Sequence, residues 1–340
     1  MSRRAPFVLR SLLLCAAVFA LASAPAGARP EPQKPLTSIF YYPWYATPAL
    51  DGSYGHWADE GHLPPLDIAS SYYPHRGPYS SSDPAIVRAQ MSEIAAAGID
   101  QIVVSWWGWG SPEDSRLQFV LVAARKAGLD VAIHLEPYEG RTEATVEADI
   151  EHLRQLGIRD YYVYRPFEIA AEDWAALNDR LGDARVFAQT TLVGWAASGR
   201  FEGLYTYDVL IHDGGSFRRL CNQARVAGLV CAPSVGPGYD ARRSFGDMRT
   251  KPRLRGATYD AMWKAALWSG ADQVTITSYN EWLEGTQIEA ARATTRANGF
   301  GYATYAGAWG LHGARSASAY MARTAYWTRA LADRAAGATR

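Results

Sequence analysis

Runs of apolar and β-branched residues recur along the chain at near-regular intervals: SIFYYPWY (38–45), DQIVVSWWG (100–108), DVAIHLEPY (130–138), YYVYRP (161–166), RVFAQT (185–190), GLYTYDVLI (203–211), LVCAPSVGPGY (229–239) and DQVTITSYNEW (272–282). Several are nearly continuous in apolar side chains, the pattern of parallel strands covered on both faces. Between them the period changes to that of a helix. Asp83-Pro84 predicts a capped helix start and Gly98 its end. Leu117, Val120, Leu121 and Ala124 mark a second helix that stops at Gly128, and Tyr259, Met262, Trp263, Ala266 and Leu267 mark a third that runs to Gly270. The junctions AAGIDQ, KAGLDV, VAGLVC and WSGADQ repeat one device: a helix closes on a left-handed glycine and a strand begins just after it.

Eight β-then-α units predict an α/β fold, a single (β/α)8 TIM barrel over residues 38–335. The 340 residues, 48% of them hydrophobic, are enough for one such core. A doubly wound sheet would carry a glycine-rich phosphate turn after its first strand, and YYPWYATP is no such turn. GPGY, after the seventh run, has neither dinucleotide-fingerprint spacing nor the lysine of a P-loop.

Residues 1–28 follow a different pattern. Basic Arg3, Arg4 and Arg10, an apolar run from Leu12 to Ala22 and small residues ending Ala26-Gly27-Ala28 predict a secretory signal peptide, with a linker over 29–37. The apolar run is shorter than the roughly 20 residues of a membrane anchor, so no integral membrane segment is expected after cleavage. The product is then exported, periplasmic or extracellular. Cys15 leaves with the signal, and Cys221 and Cys231 remain as either a disulfide or two buried thiols. Charge is balanced at 34 basic and 34 acidic residues with no basic stripe, which argues against a nucleic-acid partner.

Aromatic content points instead to a sugar ligand, because aromatic faces complement the apolar faces of pyranose rings. Of 12 Trp and 20 Tyr, six tryptophans (Trp44, Trp57, Trp106, Trp107, Trp109 and Trp282) lie at or beyond the ends of the first, second and eighth runs. Barrel active sites are built at those ends. His134 and Glu136, two apart on the third strand, point to one side and read either as ligand-binding groups or as a buried pair. A metal site would need a third ligand, and no HExxH or cysteine cluster supplies one. Glu281 and Glu284 come to one side where the last strand turns into a loop, as an acid and a second carboxylate for glycoside cleavage require. Their alternative is a solvated helix start. Glu289 is expected on the surface or in a supporting place.

Read in order, FYYPWY (40–45), GHW (55–57), SWW (105–107), HLEPY (134–138), GLYTY (203–207), PSVGPGY (233–239) and YNEWLEGTQIE (279–289) resemble glycoside hydrolase family 99, the endo-α-1,2-mannosidases and mannanases. The resemblance implies a (β/α)8 retaining endo-glycosidase that needs no cofactor or metal and acts on an α-linked oligo- or polysaccharide. It implies Glu284 as acid/base and Glu281 as the base that deprotonates the neighbouring sugar 2-hydroxyl, giving a 1,2-anhydro intermediate. Tyr42, His56, Trp57, His134, Glu136, Tyr138, Tyr205 or Tyr207, and Tyr239 would line the donor-side subsites, with Trp107 at the outer sugar. Trp44, Trp106, Asn280 and Trp282, at the strand ends, join them as candidate substrate-binding residues. Two segments depart from the family: Leu283 stands where NEWHEG has histidine, and GWGSPED follows SWW in place of a Pro-rich continuation. The alternative functions are a non-hydrolytic glycan-binding or polysaccharide-processing barrel and a glycosidase of another α-glucan.

Overall fold

The computed structural model describes Met1 and residues 36–294, 296–297 and 300–337. The expected signal peptide beyond Met1 and the linker up to residue 35 lie outside the described residues. Eight parallel strands follow in order: Leu36–Tyr41, Gln101–Trp106, Asp130–Leu135, Asp160–Val163, Arg185–Gln189, Gly203–Tyr205, a seventh in two pieces (Val230–Ala232 and Ser234–Val235), and Gln273–Ile276. Consecutive strands pair from the first to the seventh, and the eighth pairs with the first and with the second piece of the seventh. Both ends of the sheet are therefore one strand interrupted at Pro233, which has no N–H to give to a ladder. The Pro233 carbonyl still accepts from Thr275 N at 3.2 Å, and the sheet closes into a (β/α)8 barrel.

A barrel helix follows each strand: Pro84–Ala96 (after a short helix at Pro48–Asp51), Pro112–Lys126, Glu143–Gln155, Ala171–Arg180, Val193–Ser198, Phe217–Val226, Ala257–Ser269 and Ala319–Gly337. The four glycine junctions are left-handed as expected, with Gly98, Gly128, Gly228 and Gly270 at φ 71, 80, 74 and 72°. Asp83 caps its helix through Ala85 N at 2.8 Å. Leu117, Val120, Leu121 and Ala124 are all buried against the barrel.

The barrel interior is layered. At the N-terminal end Ser38 Oγ donates to Gln101 Oε1 (2.8 Å), Gln101 Nε2 to Asp160 Oδ2 (2.8 Å), and Arg185 pairs with Asp160. Above this layer lie Phe40, Tyr162, Phe187 and Tyr205, with Tyr162 stacked on Phe187 at 4.7 Å. Gly203 leaves room for Phe187, whose Cδ1 would lie 2.9 Å from a Cβ at that position. Cys221, on the helix before the seventh strand, forms a disulfide to Cys231 within it, which resolves the two sequence alternatives.

The strands are shorter at their C-terminal ends than the sequence runs suggest. The sixth stops at Tyr205 rather than residue 211, and the eighth at Ile276 rather than residue 282. The residues past these points leave the ladder at the barrel rim and turn toward the cleft.

Candidate active site

After the eighth strand the chain makes a tight turn over Glu281–Gly285. Gly285 is left-handed at φ 64°, and its N–H donates to the Trp282 carbonyl at 3.2 Å. A Cβ there would meet the Asp240 carbonyl oxygen at 2.8 Å, so the turn is glycine-specific. The turn brings Glu281 and Glu284, three apart, to one side. Arg253 holds its far end, with Nη2 donating to the Gly285 carbonyl (2.9 Å) and the Gln287 carbonyl (2.7 Å). The guanidinium is enclosed by the rings of Tyr72, Tyr305 and Tyr320 at 4.5, 4.7 and 4.6 Å.

Glu281 is 2% exposed, and Glu284 is partly open to solvent. Burial pushes the Glu281 carboxyl well above the usual range, and the charge of Glu284 beside it adds to the push. Glu284 is pushed up to about 8, by burial first and then by Asp208, Glu136 and Asp247. The two carboxyls differ in their donors. Leu283 N donates to Glu281 Oε1 at 3.1 Å, and the Glu284 N–H also supports the ionised form of Glu281. Among the described residues no hydrogen-bond donor reaches the Glu284 carboxylate. Hydrogen bonding therefore favours the ionised form of Glu281 and gives Glu284 no such support.

Around the pair stand Tyr42, His134, Glu136, Tyr205 and Tyr207. Tyr42 and Tyr207 share a short hydroxyl hydrogen bond. His134 Nε2 lies 2.9 Å from Tyr205 Oη, and its Nδ1 lies 2.9 Å from Glu136 Oε1. Ser105 Oγ donates to Glu136 at 2.8 Å. Tyr207 is in the left-handed region at φ 49°, held by Ser234 Oγ on its N–H (2.7 Å) and Thr277 Oγ1 on its carbonyl (2.9 Å), and stacks on His134 at 5.2 Å. Glu136 and His134 thus form a pair at the rim, and Glu136 also acts electrostatically on both catalytic candidates. Tyr239 is half-buried, with its hydroxyl donating to Asp247 at 3.2 Å, and burial first and then the charge of Glu284 raise its pKa. On the other wall Trp44 is sandwiched between Tyr42 (4.7 Å) and His56 (4.6 Å). Trp107 is 38% exposed at the mouth.

Four of the expected substrate-binding residues are built into the frame of the cleft. Trp57, Trp106, Asn280 and Trp282 are fully enclosed. Asn280 spends its amide on strand pairing at the rim, with Oδ1 accepting from Tyr42 N (2.8 Å) and Nδ2 donating to the Tyr42 carbonyl (2.9 Å). Trp57 stacks on Tyr45 at 4.1 Å, and Trp106 Nε1 donates to Asp114 at 2.9 Å. Trp282 Nε1 donates to Glu289 at 3.0 Å. Glu289 is buried rather than superficial, and accepts also from Tyr79 Oη (2.7 Å) and Gln90 Nε2 (3.0 Å). Tyr138 turns its hydroxyl away from the rim, to Asp149 and Thr145. Leu283 is 2% exposed, so the departure from the family's histidine removes a polar side chain while its backbone still serves Glu281.

Sequence reading omitted Tyr164, Asp208 and Asp247. Tyr164 packs edge-on against Tyr207 at 5.2 Å and feels the charges of Glu284 and Glu136. Its signal was its place at the end of the fourth strand. Asp208 follows Tyr207 directly. Asp247 is carried on the excursion from Tyr239 to Lys251, whose ends pair as an antiparallel ribbon. The field at Glu284 is therefore negative, from Asp208, Glu136 and Asp247, the last of which is also paired with Arg249 at 2.8 Å. Such a field favours positive charge developing on a bound group and repels anionic ligands. Among the described residues no cluster of three His, Cys, Asp or Glu is arranged to hold a metal ion, and no helix is long and apolar enough to cross a membrane.

Comparison with known proteins agrees with this geometry. The family model described as Glycosyl hydrolase family 99 matches residues 33–333. A glycoprotein endo-alpha-1,2-mannosidase-like protein from Danio rerio is 33% identical over 316 residues, 74% of this chain and 70% of that protein. A glycoprotein endo-alpha-1,2-mannosidase from Xenopus laevis is 30% identical, covering 74% of this chain and 69% of that one. The solved GH99 endo-alpha-mannosidase from Bacteroides thetaiotaomicron superposes with a TM-score of 0.78 at 29% identity, covering 87% of this chain and 97% of that chain.

Proposed function

Because the chain belongs to glycosyl hydrolase family 99, we propose that this glycoside hydrolase is an exported, retaining, endo-acting enzyme that cleaves α-mannan-like glycans through the neighbouring 2-hydroxyl. The observation that carries the reading is the unequal carboxyl pair on one turn, Glu281 with backbone donors and Glu284 without.

Glu281 takes the proton of the 2-hydroxyl on the sugar at the scissile bond. The freed oxygen attacks the anomeric carbon, a C1–O2 bond forms, and the C1–O bond to the next sugar breaks as Glu284 gives its proton to the leaving oxygen. Water then reverses the sequence. Glu284 takes a proton from water, the hydroxyl attacks C1, the C1–O2 bond breaks, and Glu281 returns its proton to O2. Two inversions leave the anomeric configuration unchanged, and one water is consumed per bond. The anomeric centre gains positive charge in each transition state, which the carboxylates of Glu136, Asp208 and Asp247 favour. His134, held between Tyr205 and Glu136, and the Tyr42–Tyr207 pair supply hydroxyl and imidazole groups to hold the sugar. The Cys221–Cys231 disulfide supports export, since such bonds persist in oxidising compartments.

The test is incubation of the purified chain and its Glu281→Gln and Glu284→Gln variants with a panel of α-mannans and α-glucans, followed by product mass. Internal cleavage of a mannan by the parent and its loss in both variants support the reading. A parent that cleaves α-glucan but not α-mannan overturns the substrate assignment, and one that cleaves neither overturns hydrolysis of these glycans.

A further inference from the structure

The segment after SWW departs from the family pattern and carries Trp109, which is 65% exposed. This indole is held firmly. One face lies on the His152 ring at 4.0 Å and 16°, close to parallel. The flanking glycines are both left-handed, Gly108 at φ 99° and Gly110 at φ 82°, and Ser111 N donates to the Gly108 carbonyl at 3.2 Å to close a turn around it. Asp114 fastens the turn from below, accepting from Gly110 N (3.0 Å) and from Trp106 Nε1 (2.9 Å), and lies 3.6 Å from His152 Nε2.

The result is a large apolar ring with one face covered and fixed while the remainder stands in water. A lone exposed side chain of ordinary mobility would need no explanation. Here the backbone turn, the stacked imidazole and the half-buried Asp114 carboxylate all fix the orientation of a ring that contributes little to the core. Preorganisation of this kind lowers the ordering cost of binding. The neighbours give the surface its direction. Trp107, two residues earlier, is 38% exposed, and Gly108 between them lies against the Tyr138 ring, which a Cβ would approach to 3.4 Å. Tyr138 follows by two residues Glu136, whose charge reaches both Glu281 and Glu284. Trp107 and Trp109 thus lie one and three residues past the end of the second strand, on the rim where the carboxyl turn also lies, with Tyr138 against the glycine between them.

We infer that Trp109 is an additional sugar-stacking subsite, taking the apolar face of a hexopyranose in the same glycan at a position more remote from the carboxylates than Trp107. The inference rests on the proposed glycan substrate and adds that this chain engages a longer stretch of it. An anionic sugar is disfavoured, because the Asp114 carboxylate lies beside the platform.

The experiment compares the parent, Trp109→Ala and Trp109→Phe on α-manno-oligosaccharides of increasing length. Trp109→Ala is expected to lower kcat/KM about tenfold on the longer members, equivalent to about 1.4 kcal/mol, and to match the parent on the shortest cleaved member. Trp109→Phe should recover most of the loss. An unchanged melting temperature separates this from a structural effect, as the ring is mostly in water. Equal kcat/KM for parent and Trp109→Ala at every length overturns the subsite. If the parent cleaves no α-mannan, the proposed activity fails separately. The subsite is then read by calorimetric titration of α-mannan, where weaker binding by Trp109→Ala supports it and equal binding or none by both forms overturns it.

Discussion

Replacing Glu284 by Gln should abolish glycan cleavage and yet stabilise the fold. The Glu284 carboxyl is pushed from 4.5 up to about 8 by burial and by Asp208, Glu136 and Asp247, with no donor from the described residues to compensate. Its folded value lies above its unfolded one, so the unfolded chain releases this proton before the folded one does. Below pH ~4.5 the group is protonated in both states and costs nothing. Stability then falls as pH rises toward 8, where the loss is complete. At pH 7 the shift corresponds to about 3 kcal/mol at 1.36 kcal/mol per unit, and screening at this partly open position reduces it to about 2 kcal/mol. An amide of the same shape carries no charge and escapes that cost. Thermal melts at pH 5, 6, 7 and 8 provide the assay. For a chain of this size about 2 kcal/mol raises Tm by roughly 3 °C. The gain should be largest at pH 8 and vanish near pH 5, with part of the parent's pH slope surviving through Glu281. A Glu284→Gln protein that melts at or below the parent temperature at pH 8, with the parent's full pH slope, refutes the assignment of a raised carboxyl at Glu284.

The parent's kcat/KM should fall as pH rises through about 8, because the acid form of Glu284 is then lost; a rate that stays flat to pH 9 contradicts an acid with that value. Arg253→Met leaves the Gly285 and Gln287 carbonyls without their donor, which costs about 3 kcal/mol and is expected to lower kcat through a loosened turn. Arg253→Lys should restore only part of both, since an ammonium cannot reproduce the planar fork between three tyrosine rings, and circular-dichroism melts with initial rates check this. Removing both cysteines as Cys221→Ser/Cys231→Ser should cost ~2.5 kcal/mol for the short closed loop and leave kcat unchanged at 25 °C, because the bond joins a helix to the seventh strand away from the carboxyl turn.

Much of the barrel was legible because its signals are local. The four Gly junctions need no tertiary information: a helix that ends beside a buried parallel strand uses a left-handed cap, and the sequence repeats it. Strand length was not legible at the C-terminal ends. TYDVLI after Tyr205 and TSYNEW after Ile276 have the β-branched and aromatic composition of strands, yet they leave the sheet at the rim because cleft and frame need the same bulky residues. The same ambiguity explains the aromatic positions. Trp57, Trp106 and Trp282 sit at strand ends like true cleft residues, and only three-dimensional packing distinguishes an indole under the rim from one above it. Glu281 and Glu284 could be placed from a turn and three-residue spacing. Asp208, Asp247 and Arg253 could not, since their proximity to the turn arises from segments 28 or more positions before it in the chain, and nothing in their local composition marks them. Asn280 fastens the end of the first strand to the eighth through its amide, a contact that its place in the sequence does not reveal.

The central claim is retention through the neighbouring hydroxyl, with Glu284 as acid and Glu281 as base. Proton NMR of an α-mannan digest, recorded before mutarotation, tests it most directly. The account predicts that the first new reducing end is the α-anomer; a β-anomer appearing first would contradict it.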